Sequence, residues 1–330
     1  MSSKQIRFYL TLIISVCFAY WVYDFFSGSE ALGYIIEHYS KLYLLIFAHL
    51  PSLIFDSLAW KVLMTKKKLK FYWCVIITWI SQTAGKFLPT GNITGEFVRI
   101  YLSVQKGMNS ANSSSIVVAD LVIATFSLLL ISIFSLSILL GFNEDQTTFE
   151  DNYKYILFSV GLMILASFLF CFLIRKRCIK SILKITKKNL KKKESKYKKI
   201  YINLLKLDFE MYKLSFNIRV LLHSLFFRLV GWLGGAFEVY IFLKIIDIEI
   251  SLVGIVLIES FTSIMRAFAF FIPAAIGVQE IAFVIMGSFV GLSNPVSLSI
   301  AIGRRIREIL IGVPAILSWY FIFNRKLNIN

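Results

Sequence analysis

Ionisable side chains inside otherwise apolar stretches are where chemistry could begin in this chain. Lys86, Glu96 and Arg99 lie close together in sequence, followed by Asp120. Glu259, Arg266 and Glu280 form a second group, and Arg304, Arg305, Arg307 and Glu308 a third. Each such group costs about a few kcal/mol to place in hydrocarbon, so it is kept for a function or for a partner. On a helix Arg304 shares a face with Arg307 and Glu308, at spacings of three and four. The planar guanidinium fork suits a phosphate or a carboxylate. Two chemistries therefore stand open. Structural ion pairs could lock the segments together, with Asp120 or Glu280 taking an arginine. Alternatively the surplus of arginine over acid holds an anionic headgroup, with Arg304 and Arg307 as leading candidates. Asp56 and Glu238, each on the helix before a broken segment, are expected to form structural pairs.

Enzyme signatures are missing. The chain has no glycine-rich nucleotide loop, no paired-aspartate metal motif and no Ser-His-Asp or Cys-His set. Cys17, Cys74, Cys171 and Cys178 have no zinc or disulfide spacing, and His38, His49 and His223 fit no metal motif. No cofactor or metal is expected, and the chain is not expected to be an enzyme, although an embedded transferase stays open.

The elements that position these charges are membrane helices. Of 330 residues, 58% are hydrophobic and 17% charged, too apolar for a soluble globular fold. Apolar runs at 8–26, 42–63, 114–141, 155–174, 219–244 and 295–323 are long enough to cross a hydrocarbon core of roughly 30 Å as helix. Two further stretches, 71–106 and 252–290, are broken by Pro89 and Gly91–Gly95 and by Pro273 and Gly277. The expected fold is an all-α polytopic membrane protein with about six full spans and two re-entrant helical hairpins. It forms one transmembrane domain over 1–330.

The formal charge of +17 does not point to nucleic acid. Residues 175–199 carry thirteen Lys or Arg against Glu194 alone, and no recognition module accompanies them. A basic block beside a span is held by anionic headgroups. The connections 27–40, 142–153 and 245–251 carry acids and no Lys or Arg. The N-terminus, 64–70, 175–199 and the Arg325–Lys326 tail are basic, which puts both termini in the cytoplasm. The N-terminal run has no small-residue cleavage site and reads as a retained helix. Residues 175–218 form a basic cytoplasmic linker that ends in an interfacial helix.

Displacing the sequence by 184 residues superposes the two broken segments without a gap. Phe87, Pro89 and Glu96 fall on Phe271, Pro273 and Glu280, and Ser115 and Ile116 on Ser299 and Ile300. Asp120 falls on Arg304, opposite in sign. Repeat one covers about 41–141 and repeat two about 219–323. With the loop charges, the copies enter from opposite faces, a plan that recurs in transporters.

The stretches FLPTGNITGEFVRIYL (87–102), SSIVVADL (114–121), AFAFFIPAAIGVQEIAFVIMGSFVGLS (267–293) and IGRRIREILIGVPAILSW (302–319) carry a family resemblance. They resemble the flippase-like transmembrane family named after lysylphosphatidylglycerol synthase, nearest its hopanoid-associated subgroup. By that resemblance Pro89, Gly95, Glu96, Arg99, Asp120, Pro273, Gly277, Gln279, Glu280, Arg304, Arg307 and Glu308 occupy motif positions. Asn92 and Thr94 stand where relatives tend to carry Gln and Gly, and Ala274 where Gly is usual. The candidate substrate-binding set is Lys86, Asn92, Glu96, Arg99, Asp120, Arg266, Gln279, Glu280, Arg304, Arg307 and Glu308. Pro89, Gly91, Gly95, Pro273 and Gly277 shape the turns. The resemblance implies the lipid-handling half of the family without its aminoacyl-transfer half. The expected function is transport of an anionic phospholipid or an isoprenoid or hopanoid lipid in a bacterial cytoplasmic membrane. The alternative is a partner that presents lipid to a separate transferase.

Overall fold

A computed structural model of the chain describes residues 20–66, 68–87, 92–142, 172–190, 195–269 and 272–324, with isolated positions at 17, 18, 161, 164, 165 and 169. Every regular element among them is helical. In chain order these are α1 (Gly28–Glu37), α2 (Leu44–Val62), α3 (Phe71–Phe87), α4 (Asn92–Gln105), α5 (Ser110–Phe142) and α6 (Cys178–Leu190). Then come α7 (Ser195–Leu214), α8 (Ile218–Ile245), α9 (Leu252–Phe268), α10 (Val278–Phe289) and α11 (Asn294–Trp319). Among the described residues, four helices are long and apolar enough to cross a membrane: Tyr39–Val62, Ser110–Ile138, Ile218–Ile245 and Asn294–Phe323. The protein is an all-α, multi-pass membrane protein. The expected spans 8–26 and 155–174 and the acidic loop 142–153 fall largely outside the described residues.

Helix ends follow local chemistry. The Ser251 hydroxyl accepts from the Gly254 amide at 3.1 Å to start α9, and Asn217 accepts from Val220 at 3.4 Å to start α8. Pro295 opens α11, where its missing N–H costs nothing. In the connection after α8, the Lys244 ammonium pairs with Glu249 and holds that carboxyl below its usual range.

The most extensive packing joins α2 to α8. A Cβ at Gly234 would lie 2.7 Å from the Ser52 amide nitrogen, and one at Gly231 would lie 2.8 Å from the Asp56 carboxylate. The Ser224 hydroxyl donates to the Ala59 carbonyl at 3.0 Å. Partners fall along α8 as they rise along α2, so the two helices run antiparallel, and the small residues let the backbones close. Small-residue contacts of this kind drive helix association where no hydrophobic force separates helix from lipid.

The remaining packing has a matched pattern. Helices α2, α3, α4 and α5 pack each on the next, as do α8, α9, α10 and α11. Crosswise, α5 packs on α9 and α11 on α3. The broken elements are short: α3 and α9 have 17 residues each, α4 has 14 and α10 has 12. A full crossing takes roughly 20 residues.

Candidate functional site

The buried charges gather into two networks along α8. The first is centred on Asp120 of α5, which is 1% exposed. Arg99 of α4 donates to one Asp120 oxygen at 2.7 Å. Arg228 of α8 donates through Nε to the other at 3.1 Å and pairs again through Nη2. The remaining Arg228 nitrogen, Nη1, reaches Asp56 of α2 at 2.7 Å, and Asp56 also accepts from Gln82 of α3 at 2.9 Å. Arg99 further donates to the Ser81 hydroxyl at 3.2 Å and lies over the Trp60 ring. Glu96, one turn before Arg99, stands 3.4 Å from it. Two guanidiniums thus face three carboxylates, and both guanidiniums are engaged.

The second network lies ten residues, or about 15 Å, further along α8. Glu238 accepts from Arg307 of α11 at 2.7 and 2.9 Å and from His49 of α2 at 3.1 Å. Arg304 pairs with Glu259 of α9, which also accepts from the Ser263 hydroxyl at 3.3 Å. Lys86, at the end of α3, stands 3.2 Å from Glu308. Arg305 donates to Glu280 at 2.9 Å, to the Ala274 carbonyl at 2.9 Å and to Glu308 at 3.3 Å. Arg266 of α9 lies in the field of Glu308, Arg304, Glu259 and Arg305. It has no carboxylate within ion-pair distance among the described residues. Five cations, Lys86, Arg266, Arg304, Arg305 and Arg307, therefore meet four carboxylates, Glu238, Glu259, Glu280 and Glu308. The Arg305 Nη2 is buried without an acceptor.

The turn before α10 is strained. Ala274 and Ala275 both have left-handed backbone, at φ 53° and 49°, and Gly277 has φ 85°. For an L-residue this conformation costs about 1–2 kcal/mol, so a glycine would relax the position of Ala274. Glu280 accepts from the Gly277 amide at 2.7 Å and caps α10. With Arg305 on both Glu280 and the Ala274 carbonyl, α11 clamps the turn from two sides.

Most candidates from the sequence have a place in this picture. Glu96, Arg99 and Asp120 belong to the first network, and Lys86, Arg266, Glu280, Arg304, Arg307 and Glu308 to the second. The i,i+4 pairing of Arg304 with Glu308 gives way to Arg305 with Glu308, because Arg304 is drawn to Glu259 and lies 3.7 Å from Glu238. Gln279 is buried with its Nε2 unpartnered. Gly95 sits inside the first turn of α4 rather than in the loop, where a Cβ would meet the Ser81 carbonyl at 2.5 Å. It is needed for the approach of α3 to α4. Gly277 holds the start of α10. Pro89, Gly91 and the side chains of Asn92 and Pro273 lie outside what is described. No group of three or more His, Cys, Asp or Glu able to hold a metal occurs among the described residues.

Sequence inspection missed Arg228 altogether, named Arg305 among the charged candidates but left it out of the binding set, and gave His49 no role. The missed signal was simple: an arginine and an imidazole inside apolar spans are as costly as the charges that were noticed. A single charge in a long span attracts less attention than a cluster.

The family model described as Lysylphosphatidylglycerol synthase TM region matches residues 8–315. No curated protein and no solved structure gives a match.

Proposed function

The chain belongs to the lysylphosphatidylglycerol synthase TM region family, and from that premise we propose that it binds the anionic headgroup of a membrane lipid at the second charge network and moves that lipid between leaflets. The family name ties the chain to lipid handling. The step to transport of an anionic phospholipid or isoprenoid-type lipid rests on the site. One observation carries it: among the described residues, Arg266 is a partly buried cation with no carboxylate partner, in a network where cations outnumber acids. A phosphate bearing one negative charge would complete it, with Lys86 and the free Arg305 nitrogen within the same group of charges.

The broken segments serve that reading as re-entrant hairpins, since their helices are shorter than a full crossing. The antiparallel α2 and α8, with the crosswise α5–α9 and α11–α3 packing, favour two copies of a four-helix unit in opposite orientation. Such a unit offers two nearly equivalent states for alternating access. Strain at Ala274 and Ala275 fits a turn that moves, because left-handed backbone clusters where function holds it. Basic 64–70 and 175–218 then face the cytoplasm of a bacterial cell, together with both termini, and no catalytic step is assigned to the chain.

Native mass spectrometry of wild type and Arg266→Gln from one detergent tests the site. Wild type should retain an anionic lipid that the variant loses at equal thermal stability. Identical lipid on both proteins would leave Arg266 without this role.

A further inference from the structure

A further apolar cavity is lined by none of the charged residues of the two networks. Helix α5 presents an i, i+3, i+4, i+7 stripe from Ala119 to Phe126, and α8 presents a matching one from Ile218 to Leu225. Stripes of this spacing normally close on each other. Here, with Met211 and Leu214 of α7, they line a half-open apolar cavity of about 570 Å³. That is within the roughly 300–1,000 Å³ of small-molecule sites.

The chemistry at its mouth is cationic. Arg175 lines the cavity, is exposed, and has no carboxylate partner among the described residues; its guanidinium lies 5.7 Å from the Phe216 ring centroid. Lys176 follows it, and the neighbouring Arg177 is already paired with Asp208 at 2.8 Å. An apolar chamber with a free guanidinium at its rim matches a molecule with a hydrocarbon chain and an anionic head. We propose that this cavity holds one acyl chain of an anionic membrane phospholipid, with the lipid phosphate on Arg175. The bound lipid fastens the basic linker helix α7 to the transmembrane helices α5 and α8. The site is independent of the headgroup role assigned to Arg266.

The test uses the full chain in phosphatidylcholine nanodiscs with a phosphatidylglycerol probe carrying a diazirine midway along one acyl chain. Crosslinked peptides are mapped by mass spectrometry against a phosphatidylcholine probe with the same chain. Labelling of 119–126 and 218–225 by the anionic probe should exceed the neutral probe at least fivefold. Ala119→Phe, which grows into the cavity, should abolish it. Arg175→Glu, an exposed change that leaves folding intact, should bring it down to the neutral level, and Arg175→Lys should restore most of it. Arg266→Gln should leave it unchanged, which separates the two sites. Equal labelling by both probes, labelling that survives Ala119→Phe, or an excess of anionic over neutral labelling that survives Arg175→Glu, overturns the proposal.

Discussion

Two buried charge networks share α8, and they differ in the sign of what is left over. Around Asp120, both guanidiniums are consumed by carboxylates and the surplus is negative. Around Glu238 and Glu259, the cations exceed the acids and Arg266 has no carboxylate partner among the described residues. A displacement of 184 residues places Gln82 on Arg266 and Asp120 on Arg304. Under the proposed repeat, one network has a neutral amide donating to Asp56, and the other an arginine with no carboxylate within ion-pair distance among the described residues. A closed buried network mainly fixes how helices dock, because removing either partner strands a charge. An open one has a use for a ligand.

The largest effect should come from breaking the closed network. Asp120→Ala removes the buried carboxylate that Arg99 and Arg228 share, leaving each with one acid, Glu96 and Asp56, and should cost about 3–5 kcal/mol, enough to lose most folded protein. Fluorescence-detected gel filtration after heating reads this directly. A normal melting profile would mean the network is not the lock described.

Next in size, and different in kind, is Arg266→Gln. Removing a charge-assisted partner should weaken anionic-lipid binding by about 1.5–3 kcal/mol, roughly tenfold or more, with little change in thermal stability. Equal damage to stability in Arg266→Gln and Asp120→Ala would erase the distinction between the networks. Gln82→Arg sharpens it from the other side. The new guanidinium meets Asp56 in a network already rich in acid, so lipid titration should detect no new anion site.

The smallest effect is Ala274→Gly. Relief of the left-handed backbone, offset by the greater freedom of glycine when unfolded, should raise stability by about 1 kcal/mol or less. A loss of stability would mean the turn is held by more than the Arg305 clamp.

Much of this architecture was legible in the sequence because lipid allows few solutions. Long apolar runs marked the helices at 44–62, 110–142, 218–245 and 294–319 to within four residues at each end, since a span must bond its own backbone. Pro, Gly and the charges marked the broken segments. Pairing was less legible. Arg304 lies on one face with both Arg307 and Glu308, and spacing alone cannot tell whether it turns to Glu308 or across to Glu259. That choice depends on α9, whose Glu259 lies 45 residues back along the chain. Arg228 went unseen because its partners, Asp56 and Asp120, are 172 and 108 residues away.

The central claim, that the open network carries an anionic lipid between leaflets, is tested most directly in proteoliposomes. Fluorescent phosphatidylglycerol and phosphatidylcholine, each with a headgroup-side quenchable label, would be followed for wild type and Arg266→Gln reconstituted at equal density. Selective movement of the anionic lipid by wild type, abolished in the variant, is the predicted result. Movement that is absent in wild type, or unchanged by Arg266→Gln, would contradict it.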